Sequence, residues 1–322
     1  MPSDTSSRIR QRSPLDATQQ IRPGVPIVIN RVSLLTSAFV CMLAVVLCSP
    51  ALAQIDEFID AGRGLVQVHL PPGIEDGEPR PVVIQLHGYG ATADSQEDFF
   101  RLIPQADASG FILVTPEGIE DFLRQRFWNA SDACCDFFRE RPDDSGYLRT
   151  LIDVVTANYV VDPQRIYFAG YSNGGFMAHR MGCDHADVVA GVFSFAGATW
   201  LDPLLCDAAE PVHVAQVHGT EDGVIQYDGG CIPGLACYPS ARQTADTWAA
   251  INGCELMPQL RRPARDLVQE RPGRDTLIQA WPGCAAGGSA ELWTIPGINH
   301  FPEFTANYAP LLAQFLLRRA KP

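Results

Sequence analysis

Gly170-Tyr171-Ser172-Asn173-Gly174 is the stretch that decides how this chain folds. It follows the apolar run Ile166-Tyr167-Phe168-Ala169 and precedes Gly175-Phe176-Met177-Ala178-His179-Arg180-Met181, a succession that predicts a buried strand, a sharp turn and a helix. In such a turn the serine backbone is strained and its hydroxyl stands clear of the sheet, while a glycine two residues away on each side leaves the chain room to double back. A bare G-x-S-x-G is common by chance, so the flanking strand and helix are what give this one meaning.

A serine raised in this way acts as a nucleophile when a base takes its proton and an acid orients the base. Both follow it in the chain, in the order acid then histidine. Val212-His213-Val214-Ala215-Gln216-Val217 reads as a core strand and opens into His218-Gly219-Thr220-Glu221-Asp222-Gly223, a strand-end loop where Asp222 is the candidate acid and Glu221 its competitor. Leu292-Trp293-Thr294-Ile295 reads as the last strand, and the loop Pro296-Gly297-Ile298-Asn299-His300 after it supplies His300 as the candidate base. His69 and His213 fall within strand-like segments and His179 and His185 on or just after the helix that follows the Ser172 turn, or elbow, which assigns all four to structure.

Charge developing on a substrate carbonyl needs two backbone N–H donors. Asn173, next after the serine, is the first candidate; the second is Tyr89, in the glycine-bearing loop His87-Gly88-Tyr89-Gly90 that ends the strand Pro81 to Leu86. His87 is expected to brace that loop.

Together these residues resemble a known group. Leu86-His87-Gly88, Trp128-Asn129-Ala130-Ser131-Asp132-Ala133-Cys134-Cys135, Asp143-Asp144, the elbow, His218-Gly219-Thr220-Glu221-Asp222 and Asn252-Gly253-Cys254 are similar to the secreted polyhydroxybutyrate depolymerase and feruloyl esterase group, close to carbohydrate esterase family 1. The resemblance spans about residues 62 to 318. It implies an α/β-hydrolase esterase with Ser172, Asp222 and His300 as its triad and no metal or organic cofactor. Two departures touch the substrate pocket: Gly297-Ile298-Asn299-His300-Phe301-Pro302 replaces a glycine-rich loop with a following tryptophan, and Tyr89-Gly90 stands where many relatives carry Cys or a small polar residue.

The N-terminus differs in kind. Residues 1 to 31 are polar with five arginines, Val32 to Leu47 are almost entirely apolar, and Ser49-Pro50-Ala51-Leu52-Ala53 closes the run, the pattern of a signal peptide cut after Ala53. The apolar run falls short of the ~20 residues a spanning helix needs, so export with cleavage is expected rather than an anchor. The domain expectation is therefore a signal peptide over 1–53 and one catalytic domain over 54–322, secreted or periplasmic. The leader carries five arginines and two aspartates, so its removal takes the net charge from −13 to −16. Such a balance opposes binding to nucleic acid or an anionic membrane, and leaves a neutral small or oligomeric ester as the expected partner.

Ten cysteines include Cys41 and Cys48 in the leader, leaving eight, an even number that argues for disulfides in an exported chain. No pair has the C-x-x-C spacing of zinc ligands, so no metal is expected. Proximity pairs Cys231 with Cys237, and the family resemblance pairs Cys254 with Cys284. Cys134 and Cys135 would then divide Cys183 and Cys206 between them, with a Cys134–Cys135 bridge as the strained alternative.

Strand-like runs at 65–70, 81–86, 111–114, 166–169, 191–195, 212–217 and 292–295 alternate with helix-like segments, which predicts a mostly parallel sheet covered on both faces. Leu148, Leu151, Ile152 and Val155 mark one helical stripe, capped by Asp143, Asp144 and Ser145; Ala241, Ala245, Trp248 and Ala249 mark a second, and Tyr308, Leu312, Phe315 and Leu316 a third. Long loops at 119–143 and 223–240 carry Trp128, Phe137, Phe138, Tyr227 and Tyr238, candidates for an apolar acyl or aryl pocket. No linker or appended polymer-binding module is legible, which tilts the expectation toward soluble feruloyl or acetyl esters over solid polyhydroxybutyrate. A peptidase or a non-catalytic binding protein on the same fold are the competing classes.

Overall fold

A computed structural model describes residues 55–322; the expected signal peptide lies outside the described residues. Ten strands form one sheet in the order β1-β2-β4-β3-β7-β8-β9-β14-β13-β12. They are β1 (Ile55–Asp60), β2 (Leu65–Leu70), β3 (Arg80–Leu86), β4 (Ile112–Thr115), β7 (Val161–Tyr171), β8 (Gly191–Phe195), β9 (His213–Gly219), β12 (Gln259–Arg265), β13 (Thr276–Trp281) and β14 (Ser289–Ile295). The six central strands, β4 to β14, run parallel, and the outer pairs are antiparallel. Two short hairpins stand apart: β5 (Ile119–Glu120) with β6 (Arg126–Phe127), and β10 (Gly230–Cys231) with β11 (Cys237–Tyr238).

Side chains alternate across the central strands, so each buries apolar groups on both faces. Val82, Ile84, Leu86, Ile166 and Phe168 enter one core, with α3 (Asp144–Asn158), α4 (Asn173–Asp184) and α5 (Ala241–Ile251) packed over it. Val83, Tyr167, Ala169 and Tyr171 enter the other, under α1 (Ala93–Phe100), α2 (Ile103–Ser109) and α6 (Tyr308–Leu317). The three predicted apolar stripes are the inward faces of α3, α5 and α6.

The seven predicted strands are present, but the sequence reading missed β1, β12 and β13. All three lie outside the parallel centre, where one face or one edge meets water and continuous apolar runs are not required. The edge strand β12 carries Arg261, Arg262, Pro263 and Arg265, charges and a proline that discourage pairing with another chain. Capping of α3 also differs: Asp143 accepts from Gly146 N–H at 2.8 Å, whereas Asp144 is buried and pairs with Arg63 and with Asn129 N–H, and Ser145 Oγ donates to Asp184.

Four disulfides join Cys134 to Cys135, Cys183 to Cys206, Cys231 to Cys237 and Cys254 to Cys284. The sharing of Cys183 and Cys206 between Cys134 and Cys135 is therefore corrected. Cys183 near the end of α4 meets Cys206 on the loop after β8, with their Cα atoms 5.0 Å apart, within bridging range. The Trp128 segment is tied to α4 by hydrogen bonds instead.

Candidate active site

The sharp turn after β7 occurs where the pattern predicts it. Ser172 has φ 53° and ψ −118°, a conformation that costs a non-glycine residue free energy and is held by Ser172 N–H donating to Phe195 O at 2.8 Å. A Cβ on Gly170 would sit 2.0 Å from Gly174 O, and one on Gly174 2.3 Å from Leu86 O, so both glycines are required by the close approach of β7, α4 and β3. Gly88 brings the loop after β3 to the same point: a Cβ there would lie 3.5 Å from Ser172 Cβ.

β9 and β14 are parallel neighbours in register Gly219 to Ile295, so the loops at their ends meet. Glu221 N–H donates to Ile298 O at 3.0 Å and Gly297 N–H to Thr220 Oγ1 at 2.8 Å. These contacts carry Asp222 to His300. His300 Nδ1 lies 2.7 Å from Asp222 Oδ2, and its Nε2 lies 3.0 Å from Ser172 Oγ. Ser172, Asp222 and His300 are all buried, and Tyr171 Oη donates to His300 O at 3.0 Å from below.

Asp222 Oδ1 accepts the N–H groups of Val224 and Ile225, each at 2.9 Å. Burial raises its pKa, but hydrogen bonds from His218 and His300 outweigh that and hold the carboxyl well below the usual carboxylate range. It is ionised at neutral pH. His300 Nδ1–H thus faces a fixed anion, and its Nε2 is free to accept the serine proton. Glu221, by contrast, is exposed and lies beside Gly297 rather than on His300.

Of the two candidate oxyanion donors, Asn173 opens α4, where a backbone N–H has no intrahelical acceptor. Gly90 N–H is committed to Arg126 O and Ala91 N–H to Gly88 O, while Tyr89 N–H has no partner among the described residues. The loop is braced as expected: His87 Nδ1–H donates to Gly88 O at 2.8 Å, and its Nε2 accepts Gly118 N–H at 2.9 Å. Burial pushes His87 down to about 4, so it stays neutral at physiological pH.

Sequence reasoning missed three supporting groups. The Asn173 side chain accepts from Trp128 N–H at 2.7 Å and donates to Trp128 O at 2.8 Å, bolting the long 119–143 loop to the elbow. Trp128 Nε1–H in turn donates to His87 O at 3.1 Å, so the loops bearing both oxyanion candidates share one support. His218, read as a loop residue, lies inside β9 and is buried. The quoted runs around Trp128 and His218 held these residues, but only spatial contact gives them roles. Of the expected pocket aromatics, Trp128 and Tyr238 are core residues and Tyr227 is half-buried with its hydroxyl on Thr294. Phe137 and Phe138 are exposed, and Phe137 stands edge-on to Tyr89 at 5.0 Å.

The phospholipase/carboxylesterase family pattern matches residues 74–231. The chain is 29% identical over 242 residues to feruloyl esterase B of Piromyces equi, covering 73% of this chain and 42% of that protein. It is 28% identical over 158 residues to poly(3-hydroxyalkanoate) depolymerase C of Paucimonas lemoignei, covering 47% and 35%. The chain thus spans less than half the length of either relative. The acetyl xylan esterase from Aspergillus awamori superposes with a TM-score of 0.59 at 12% identity, over 81% of this chain and 98% of that one, a likeness of fold. By its sheet order, its serine turn and these matches, the chain has the α/β-hydrolase fold and is similar to feruloyl esterases and polyhydroxyalkanoate depolymerases.

Proposed function

We propose that this protein is a serine carboxylesterase in which Ser172 is the nucleophile, His300 the general base and acid, and Asp222 the residue that orients His300. The reading rests above all on the unbroken line from Ser172 Oγ to His300 Nε2 at 3.0 Å and from His300 Nδ1 to Asp222 Oδ2 at 2.7 Å. Ser172 Oγ attacks the ester carbonyl carbon as its proton passes to His300 Nε2. The N–H groups of Asn173 and Tyr89 hold the resulting oxyanion. Collapse of the tetrahedral intermediate breaks the bond to the alcohol, which leaves with the proton from His300, and the acyl group stays on Ser172. Water then attacks the acyl carbon with His300 as base, and the acid departs as the proton returns to Ser172.

The substrates we assign are soluble esters with short acyl or hydroxycinnamoyl groups. The Tyr89 and Phe137 pair at the oxyanion loop offers an aromatic wall for the latter, and the relative from Piromyces equi is named for feruloyl esters. A second reading, hydrolysis of polyhydroxyalkanoate, is favoured by one observation. Phe122, Leu204, Val224 and Phe301, all exposed, lie on loops leaving the C-terminal ends of the parallel strands, the end that carries Ser172. We further infer one catalytic domain over 54–322 behind an export leader ending at Ala53. Four disulfides support an oxidising destination, secreted or periplasmic.

A fluorophosphonate should label Ser172 alone, and Ser172→Ala should lower kcat by ~10⁴ to 10⁶, the range for loss of a triad nucleophile. A label mapped to another serine would remove the assignment. Rates on methyl ferulate, acetylated xylan and p-nitrophenyl esters should exceed those on a polyhydroxybutyrate film; efficient film clearing with weak turnover of the soluble esters would select the second reading.

A further inference from the structure

Behind Asp222 a chain of buried side chains runs away from the nucleophile to α5. Trp248 Nε1–H donates to His179 Nδ1 at 3.0 Å, and His179 Nε2 lies 2.8 Å from Gln216 Oε1. Gln216 Nε2 donates to Gly197 O at 2.7 Å and lies 3.2 Å from His218 Nδ1. His218 Nε2 meets Ile225 O at 2.8 Å and Asp222 Oδ2 at 3.3 Å. Trp248, His179, Gln216 and His218 are all fully or almost fully buried.

The proton positions along this chain are fixed from both ends. An indole nitrogen only donates, so His179 Nδ1 accepts and its Nε2 carries the hydrogen. A backbone carbonyl only accepts, so the amide nitrogen of Gln216 faces Gly197 O and, with its second hydrogen, His218 Nδ1. His218 therefore carries its hydrogen on Nε2, where it meets only acceptors, Ile225 O and the Asp222 carboxylate. One assignment satisfies every contact, with both histidines neutral. A second proton on His218 would oppose the Gln216 amide, and burial already pushes His179 down to about 4.

We propose that His218 is a positioning residue, a second histidine on Asp222, held in its Nε2–H tautomer by the Gln216, His179 and Trp248 chain. The inference rests on the reading of Asp222 as the acid of a serine esterase. Asp222 Oδ1 is fixed by two backbone N–H groups, and Oδ2 is shared between His300 and His218. By also binding Ile225 O, His218 clips the 222–225 turn to β9, so the carboxylate cannot swing away from His300. A neutral donor does this without placing a competing cation beside the imidazolium that forms on His300 during the reaction. The titratable groups facing Asp222 are His300, His218, Tyr171 and Tyr238, and burial raises both tyrosines beyond the working pH range.

The test compares His218→Leu and His218→Gln with the wild-type chain, on p-nitrophenyl acetate from pH 5 to 9. Without the His218 N–H, Asp222 is less firmly placed and its anion is shared with His300 alone. In His218→Leu, kcat should fall 10- to 100-fold with KM little changed, the scale of a small misplacement, and the acid limb of kcat/KM should move to higher pH. His218→Gln, whose amide N–H reaches the same acceptors, should fall less than threefold. A folded His218→Leu protein with wild-type kcat and acid limb would overturn the inference. A wild-type chain without esterase activity would instead overturn the reading beneath it. If His218→Leu does not fold, ¹⁵N spectra of the histidines in the wild-type chain decide: Nε2–H with a bare Nδ1 on His218 throughout this range is expected, and an Nδ1–H tautomer or an imidazolium would refute the proposal.

Discussion

Replacing Asp222 by Asn changes one atom, and its consequence can be worked from the contacts of the carboxylate. The amide has two orientations. In the first, its oxygen keeps the N–H groups of Val224 and Ile225, both at 2.9 Å, and its NH₂ turns toward His300 and His218. In the second, its oxygen keeps His300, and the NH₂ opposes both backbone donors, of which the buried Ile225 N–H loses its partner at a cost of about 1–3 kcal/mol. The first orientation therefore prevails. His300 must then accept at Nδ1, which puts its hydrogen on Nε2 against Ser172, where it cannot take the serine proton. A loss of ~10⁴ in kcat follows, about 5 kcal/mol of transition-state stabilisation, as for a triad histidine held in the wrong tautomer. The assay is initial rate on p-nitrophenyl acetate, with thermal melts to show that the fold survives. Glu221→Gln is the control: the side chain is exposed, and its rate should change less than twofold. A larger loss in Glu221→Gln than in Asp222→Asn would move the acid to Glu221 and refute the reasoning.

Two further outcomes concern stability. His87 and His179 are buried neutral with pKa values lowered to about 4, so the unfolded chain binds more protons than the folded one between about pH 6.5 and 4. Their stabilising effect is full above about pH 6.5 and is lost as pH falls, by about 2 kcal/mol each between pH 7 and pH 5. Glu97 and Asp144, raised by burial, act in the opposite sense but nearer the carboxylate range. Tm should fall from pH 7 to pH 5, and a flat Tm would contradict the burial of both histidines. Peptide mapping of the unreduced protein should find no free thiol among the eight cysteines outside the leader. Cys183→Ala with Cys206→Ala should cost about 3 kcal/mol because their bridge closes a loop of sequence separation 23, whereas removing Cys134 and Cys135 together should cost little loop entropy. Two free thiols at Cys134 and Cys135 would break the assignment.

The parallel centre of the sheet and its serine turn were legible because each is written locally. A strand buried on both faces must be apolar throughout, as at Val82 to Leu86, and a turn that admits no Cβ must carry glycine, as at Gly170 and Gly174. Asp222 and His300 were legible by position, since each follows a strand whose C-terminal end reaches the serine. β12 escaped because an edge strand rich in arginine is shaped by what it must avoid pairing with, a constraint that leaves no apolar period.

What the sequence could not supply is the set of contacts between residues far apart in the chain. The side chain of Asn173 and the backbone of Trp128 meet across 45 residues, and Trp248 and His179 across 69. Asn173 and His218 each sit beside a residue that was already named, and each was assigned only a backbone or loop role, because a polar side chain next to an active residue has no period to betray its direction. The disulfides teach the same lesson. An even count argued for full pairing, but the partner of Cys183 depended on where α4 and the loop after β8 come together. Local rules place Ser172, Asp222 and His300 at one end of the sheet, and the long-range polar contacts then fix them there: Asn173 ties the Trp128 loop to the serine turn, and His218 ties Asp222 to the core beneath it. The first set is written in the motif and the second in the packing, which is why Ser172, His300 and Asp222 could be singled out from sequence while the contacts that support them had to be seen in space.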